Sequence, residues 1–239
     1  MDITYDWNDI LIVGDSFCDS RDAHDTWPQL ALTALTGQSF DKNRQPRGRG
    51  FPGGAWWAYR KELLAELNIR VPRVLIVCHT EPFRIPNDKN YSLNFKSVED
   101  RVLHKDGKNH RMPARVAEAA DLYYQELMCD DFYLWAVKQW FQELDGLCAE
   151  RGIEKVIHLY SFGGSYTDYT FENGVTVAVP MSSYAEQAET IFWKFKWKLA
   201  NHYTRKGNAA FARTIVDLVK NYPGDGVRLN IKMVEYANS

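Results

Sequence analysis

The sequence predicts an α/β protein: a three-layer α/β/α sandwich with a mainly parallel sheet, forming one domain over residues 1–239. Three observations carry that expectation. Unbroken apolar runs at 10–13 ("ILIV"), 73–79 ("RVLIVCH") and 155–162 ("KVIHLYSF") read as strands buried on both faces. Segments of helical period separate them, so strands and helices alternate along the chain. No linker-like stretch divides the sequence into two units.

The elements follow in order. Ile10 to Val13 forms the first strand, running straight into Gly14-Asp15-Ser16. Thr26 caps a helix with Pro28 in its first turn and Leu30, Ala31, Ala34 and Leu35 on its apolar side, and Gly37 ends it. Residues 41–54, "DKNRQPRGRGFPGG", read as a loop, and Trp56, Tyr59, Leu63, Leu64 and Leu67 then recur at helical spacing. After the 73–79 strand, residues 86–113 are polar and aperiodic and read as a surface insertion. From Val116 to Cys148 the pattern is helical, with a break near 129–131, and Gly152 stops it. Residues 169–179, "YTFENGVTVAV", read as a hairpin turning at Asn173-Gly174. Ser183 and Glu186 carry a capping-box signature for a helix burying Ala185, Ala188, Phe192, Phe195 and Leu199, although "FWKFKWK" also alternates like a strand. A last helix from about Thr204 to Lys220 buries Phe211, Ala212, Ile215, Val216 and Val219, and "GVRLNIKMVEY" reads as extended.

Composition bounds the functional classes. The chain is 45% hydrophobic and 25% charged with a formal net charge of −2, which favours a globular protein and gives no general attraction to nucleic acid or anionic lipid. No apolar run approaches the ~18 residues of a membrane helix, and the start "MDITYDWNDI" has no signal-like apolar stretch, so a cytoplasmic setting is expected. Aromatic residues make up 14% of the chain, pointing to a core of large side chains. The four cysteines, Cys18, Cys78, Cys129 and Cys148, lack CxxC or zinc spacing, and Cys78 and Cys148 read as buried free thiols.

In parallel sheets of this class ligands bind beyond the carboxyl ends of the strands, and Ser16, His79 and Ser161 all lie just past such ends. A serine hydroxyl becomes a nucleophile when a base, most often histidine, removes its proton. His202 lies in a loop immediately before the last helix, which this fold class brings to the same edge as Ser16. With Gly-Asp-Ser after the first strand and "HYTRKGNAAFA" leading into the last helix, the sequence resembles the SGNH, or GDSL-like, hydrolases from Ile10 to about Lys220.

That resemblance implies a flavodoxin-like sandwich in which Ser16 is the nucleophile and His202 the general base. Gly53, with Gly54 close behind, would supply the oxyanion-hole amide from "GRGFPGGAWW". It also implies an ester substrate, a small molecule or glycan carrying an O-acetyl or acyl group, with no metal and no organic cofactor. Asp15 and Arg84 are expected as supporting residues.

Two positions depart from the family pattern. In "VCHTEPFR", His79 stands for the usual glycine and Glu81 for the asparagine that donates to the oxyanion. An ionised carboxylate only accepts hydrogen bonds. At about 4 Å it would oppose the oxyanion by about 4 kcal/mol at an effective dielectric of about 20, roughly three orders of magnitude in rate. Protonation of Glu81, its pairing with Arg84, or donation by His79 would each relieve this. Three residues before His202, where the family has aspartate, this chain has Leu199. These substitutions support a rival reading, a binding or structural protein that keeps the fold with weakened or lost catalysis, and a further one in which Glu81 is itself a base.

Other groups have plainer readings. Lys42, Arg44, Arg47 and Arg49 form a basic loop, either solvated or gripping an anion. Lys194, Lys196 and Lys198 interleave with Trp193 and Trp197 and read as a helix flank with apolar stems. His104 and His110 lack metal spacing.

Overall fold

Strand β1 (Ile10–Asp15) is buried at every position because it lies inside the sheet with a layer of helices on each side. The computed structural model describes residues 5–20, 25–39, 46–52, 54–89, 91–95, 97–99, 112–163, 169–183 and 203–230. Within them six strands form one sheet: β1, β2 (Gly50–Phe51), β3 (Val74–His79), β4 (Lys155–Tyr160), β5 (Val175–Val177) and β6 (Val227–Leu229). Their spatial order is β2-β1-β3-β4-β5-β6, and every pairing is parallel. This is the 2-1-3-4-5 order of flavodoxin-like sheets with one strand added.

The helices are α1 (Trp27–Thr36), α2 (Trp56–Ile69), α3 (Ala114–Leu122), α4 (Asp130–Arg151) and α5 (Arg205–Lys220). Alternate strand residues face opposite ways. Ile10, Ile12, Val74 and Ile76 meet Leu32 and Leu35 of α1 and Phe211 and Ile215 of α5. Leu11, Val13, Leu75 and Val77 meet Leu63 of α2 and Trp140, Phe141 and Leu144 of α4. The three-layer sandwich is therefore built from two cores, one on each side of the sheet. Large aromatic side chains fill them: Trp27, Trp140, Tyr59, Tyr160 and Tyr203 are fully buried.

Helix boundaries follow the sequence closely. The Thr26 cap and Pro28 open α1, and Gly37 closes it in a left-handed conformation. Its buried side is Trp27, Ala31, Leu32 and Leu35, while Ala34 faces out. The break expected near 129–131 falls at Met128 and Cys129, after a π-helical turn over Tyr123–Leu127. Thr204 caps α5 by accepting from the Gly207 N–H at 3.0 Å, and Val216 is only half-buried. Thr204→Ala is expected to cost about 1 kcal/mol, seen as a lower urea midpoint with an unchanged slope.

Four expectations are corrected. Residues 169–179 do not form a hairpin: β5 pairs parallel to β4, so Asn173-Gly174 leads into a strand instead of joining two. Asp145 of α4 takes the Glu172 and Asn173 N–H groups at 2.7 and 2.8 Å, and a Cβ on Gly174 would lie 2.8 Å from the Val156 carbonyl oxygen. Part of the 41–54 loop is the edge strand β2, too short to show a period. The third strand stops at Tyr160, two residues before the predicted end. The 86–113 stretch is not wholly superficial, since Leu93 and Val98 are buried in a satellite core with Ala117 and Ala120 of α3. Among the described residues, no helix is long and apolar enough to cross a membrane. The helix expected over 183–199 lies almost entirely outside the described residues.

Candidate active site

In a sheet of this order the chain leaves β1 toward β2 and later returns to β3 on the other side, which opens a crevice at the carboxyl ends of β1 and β3. Ser16 stands there. It begins a 3-10 turn, Ser16–Cys18, and is half-buried, whereas Asp15 before it is fully buried. The turn is held from several sides. Asp15 Oδ1 accepts from the Phe17 N–H at 3.0 Å and from the Ser161 hydroxyl at 2.7 Å, tying the ends of β1 and β4 together. On the other side β2 runs so close that a Cβ on Gly50 would lie 2.4 Å from the Asp15 carbonyl oxygen and 2.5 Å from the Asp19 nitrogen.

The segment after His202 reaches the same turn. The Tyr203 ring packs edge-on against Phe17 with centroids 5.7 Å apart, and its hydroxyl donates to the Met181 carbonyl at 2.8 Å. Asn208, fully buried in α5, accepts from the Trp27 N–H at 2.7 Å and donates to the Tyr203 and Thr204 carbonyls at 3.3 and 3.1 Å. Trp27 in turn donates its indole N–H to the Phe17 carbonyl at 2.6 Å. One connected set of bonds thus spans the Ser16 turn, the start of α1 and the start of α5. His202 itself, Gly53 and Leu199 lie outside the described residues.

Glu81 and Arg84 pair just past the carboxyl end of β3. The Arg84 Nε donates to Glu81 Oε1 at 2.7 Å and its Nη1 to the Gly54 carbonyl at 3.2 Å. Its guanidinium carbon lies 5.4 Å from the centroid of the Phe162 ring, and Phe162 packs edge-on against Phe17 at 5.4 Å. The Arg84 side chain is 4% exposed against 35% for Glu81, so the cation is the inner member of the pair. Of the three ways to relieve the Glu81 carboxylate, the structure shows pairing with Arg84.

Two predicted donors are used elsewhere. The Gly54 N–H closes a turn onto the Phe51 carbonyl at 2.9 Å, and a Cβ there would come within 2.8 Å of the Phe51 Cβ, so Gly54 serves close packing. His79 is corrected too: its fully buried ring packs between Tyr59, Phe141 and His158 in the α2/α4 core, not in the crevice. Its Nε2 lies 3.1 Å from His158 Nδ1, and His158 Nε2 lies 3.1 Å from the Asn173 carbonyl oxygen. A carbonyl only accepts, so His158 carries its proton on Nε2 and receives the Nε2–H of His79 at Nδ1. His79 Nδ1 then faces the Tyr59 hydroxyl at 3.5 Å. Burial first, and the neighbouring ring second, hold His79 well below the ordinary histidine range, and burial brings His158 down to about 4. Both imidazoles are neutral core residues near pH 7. No spacing in the sequence signals this pairing of residues on two neighbouring strands.

Among the described residues, Arg47 is structural. It clamps the end of α2, donating to Glu66 Oε2 at 2.7 Å and to the backbone carbonyls of Asn8, Glu66 and Arg70. Lys42, Arg44, His104, His110 and residues 193–198 lie outside the described residues. Cys18, Cys78 and Cys148 are buried free thiols and Cys129 is exposed. Burial raises the Cys18 and Cys78 thiols, so neither is an activated nucleophile. Among the described residues, no group of three or more His, Cys, Asp or Glu side chains is arranged to hold a metal ion. The fold and this turn define a flavodoxin-like sandwich with a Gly-Asp-Ser corner at its switch point. Comparisons with family models, curated proteins and solved structures find no match to the chain.

Proposed function

We propose that this chain is a serine hydrolase of the SGNH type that cleaves an ester, O-acetyl or acyl, through Ser16 and His202. The observation that supports it most is the contact between Phe17 and Tyr203 at 5.7 Å. Each is the immediate neighbour in sequence of one member of the dyad, and both stand at the carboxyl edge of the sheet. Their joining is also reinforced through Trp27 and Asn208.

The reaction follows from these groups. His202 takes the Ser16 hydroxyl proton as Oγ bonds to the substrate carbonyl carbon, and the carbonyl electron pair moves onto oxygen. The Ser16 and Gly53 amides donate to that oxyanion. Its collapse breaks the bond to the alcohol, which leaves with the proton from His202. Water, deprotonated by His202, then attacks the acyl-enzyme, and collapse of that second intermediate releases the acid as His202 returns the proton to Ser16 Oγ. Glu81, neutralised by Arg84, opposes the oxyanion less than a lone carboxylate would.

A fluorophosphonate probe tests this. The wild-type chain is expected to be labelled on Ser16, with labelling absent in Ser16→Ala and strongly reduced in His202→Ala while circular dichroism stays native. Wild-type protein that neither labels nor hydrolyses model esters overturns the enzyme reading in favour of a binding protein on the same fold.

A further inference from the structure

We propose that Arg84 is a catalytic residue of this site, the donor that replaces the missing asparagine, and that Glu81 is the positioning residue that aims it. The inference rests on the hydrolase reading above. An asparagine at position 81 would offer an N–H to the developing oxyanion, and Glu81 offers none when ionised. The Glu81–Arg84 pair restores donors at the same place in the chain while remaining neutral overall.

The geometry locates the guanidinium between the elements that frame the crevice. Gly54, which accepts from Nη1 at 3.2 Å, follows β2, and β2 is paired with β1 through Asp15 and Phe51. Phe162, against which the guanidinium lies, follows β4 and touches Phe17 of the Ser16 turn. Arg84 therefore bridges the ends of β2, β3 and β4, one ring contact removed from the turn that Ser16 begins. Among the described residues its Nε goes to Glu81 and its Nη1 to Gly54, and these contacts do not use the hydrogens of Nη2.

The side-chain chemistry suits the role. A guanidinium is planar and stays charged at every working pH, so its donors are fixed as a fork once Nε and Nη1 are held. Burial of the cation to 4% exposure lowers the dielectric around it, which strengthens its effect on charge that appears only in the transition state. Glu81, more exposed at 35%, supplies the counter-charge from the outer side. An inner cation and an outer anion is the order a site needs when the reacting oxygen becomes negative.

Steady-state hydrolysis of a short-chain aryl ester by wild type, Arg84→Gln, Arg84→Lys and Glu81→Gln, with fluorophosphonate labelling of each, tests the assignment. Arg84→Gln is expected to lower kcat by about 100- to 1,000-fold, the loss typical of one oxyanion donor, with KM little changed. Arg84→Lys keeps the charge without the fork and is expected to fall between, and Glu81→Gln to lose less than Arg84→Gln. If Arg84→Gln does not fold, Arg84→Lys carries the test. Wild-type kcat in the folded Arg84 variants, or a loss confined to KM or to the folded fraction, overturns the assignment alone. A wild type that is inert to both ester and probe overturns the hydrolase reading beneath it.

Discussion

Asp15→Ala is expected to destabilise the fold by about 2–6 kcal/mol and to abolish labelling at Ser16. The Asp15 side chain sits fully buried at the end of β1, where Oδ1 receives both the Phe17 N–H and the Ser161 hydroxyl. Truncation leaves two buried donors without their acceptor, at about 1–3 kcal/mol each. The same two bonds set the conformation of the 3-10 turn that begins with Ser16, so reactivity falls with stability. Asp15→Asn keeps an oxygen at Oδ1 and is expected to lose less of both. Ser161→Ala removes one bond to a carboxylate, about 1.5–3 kcal/mol, and falls between them. Urea unfolding gives the order of stabilities, and probe labelling of the folded fraction gives the effect on Ser16. An Asp15→Ala protein as stable as wild type would show that the clamp does not hold this corner.

The parts of the fold that could be read from sequence are those with strong local patterns. Ile10–Asp15, Val74–His79 and Lys155–Tyr160 stand out because strands buried on both faces need apolar side chains at nearly every position. The caps at Thr26 and Thr204 and the stop at Gly37 are equally local. The hairpin failed for a physical reason. Asn173-Gly174 is well suited to a two-residue turn, but Asp145, 27 residues before Glu172, captures the backbone there and delivers it to the edge of β4. Strand β2, only Gly50 and Phe51, has no period to detect.

The site shows the same division. The place of Ser16 is legible because position after a strand is a local property, whereas the pairing of Glu81 with Arg84 is one of three arrangements the sequence leaves open and only the fold decides. The link from Ser161 to Asp15 joins residues 146 apart, and that from Asn208 to Trp27 joins residues 181 apart. Position alone leaves the direction of His79 open, because a strand-end residue points to either side of the sheet. Its direction is set by alternation with Leu75 and Val77, which face the α2/α4 core. Taken with Tyr59 and Phe141, that alternation places the ring in an aromatic interior instead of the crevice.

Acid is expected to unfold this protein through that interior, with stability falling from about pH 6.5 toward pH 4. His158 is neutral in the fold down to about 4, against an ordinary value of 6.5, and His79 is also held well below that value. Between these limits the unfolded chain binds protons that the folded chain refuses, so stability rises with pH and is lost as pH falls. His158 contributes a slope of up to about 1.4 kcal/mol per pH unit, and His79 acts in the same direction. Over the two units or so that His158 spans, this is a large share of the stability of an ordinary domain, about 5–15 kcal/mol. The hydrogen bond to the Asn173 carbonyl and, after it, the Asp145 charge act the other way on His158, favouring its charged form, but burial outweighs both. Protonating His158 at Nδ1 would also set that N–H against the Nε2–H of His79, 3.1 Å away. Paired carboxylates such as Glu154, held below its ordinary value of 4.5 by Arg73, act lower on the scale. Urea unfolding across this range measures the slope, and replacing both histidines by asparagine is expected to flatten it. A wild-type stability that stays level from pH 7 to pH 5 would mean that these rings carry a proton inside the fold.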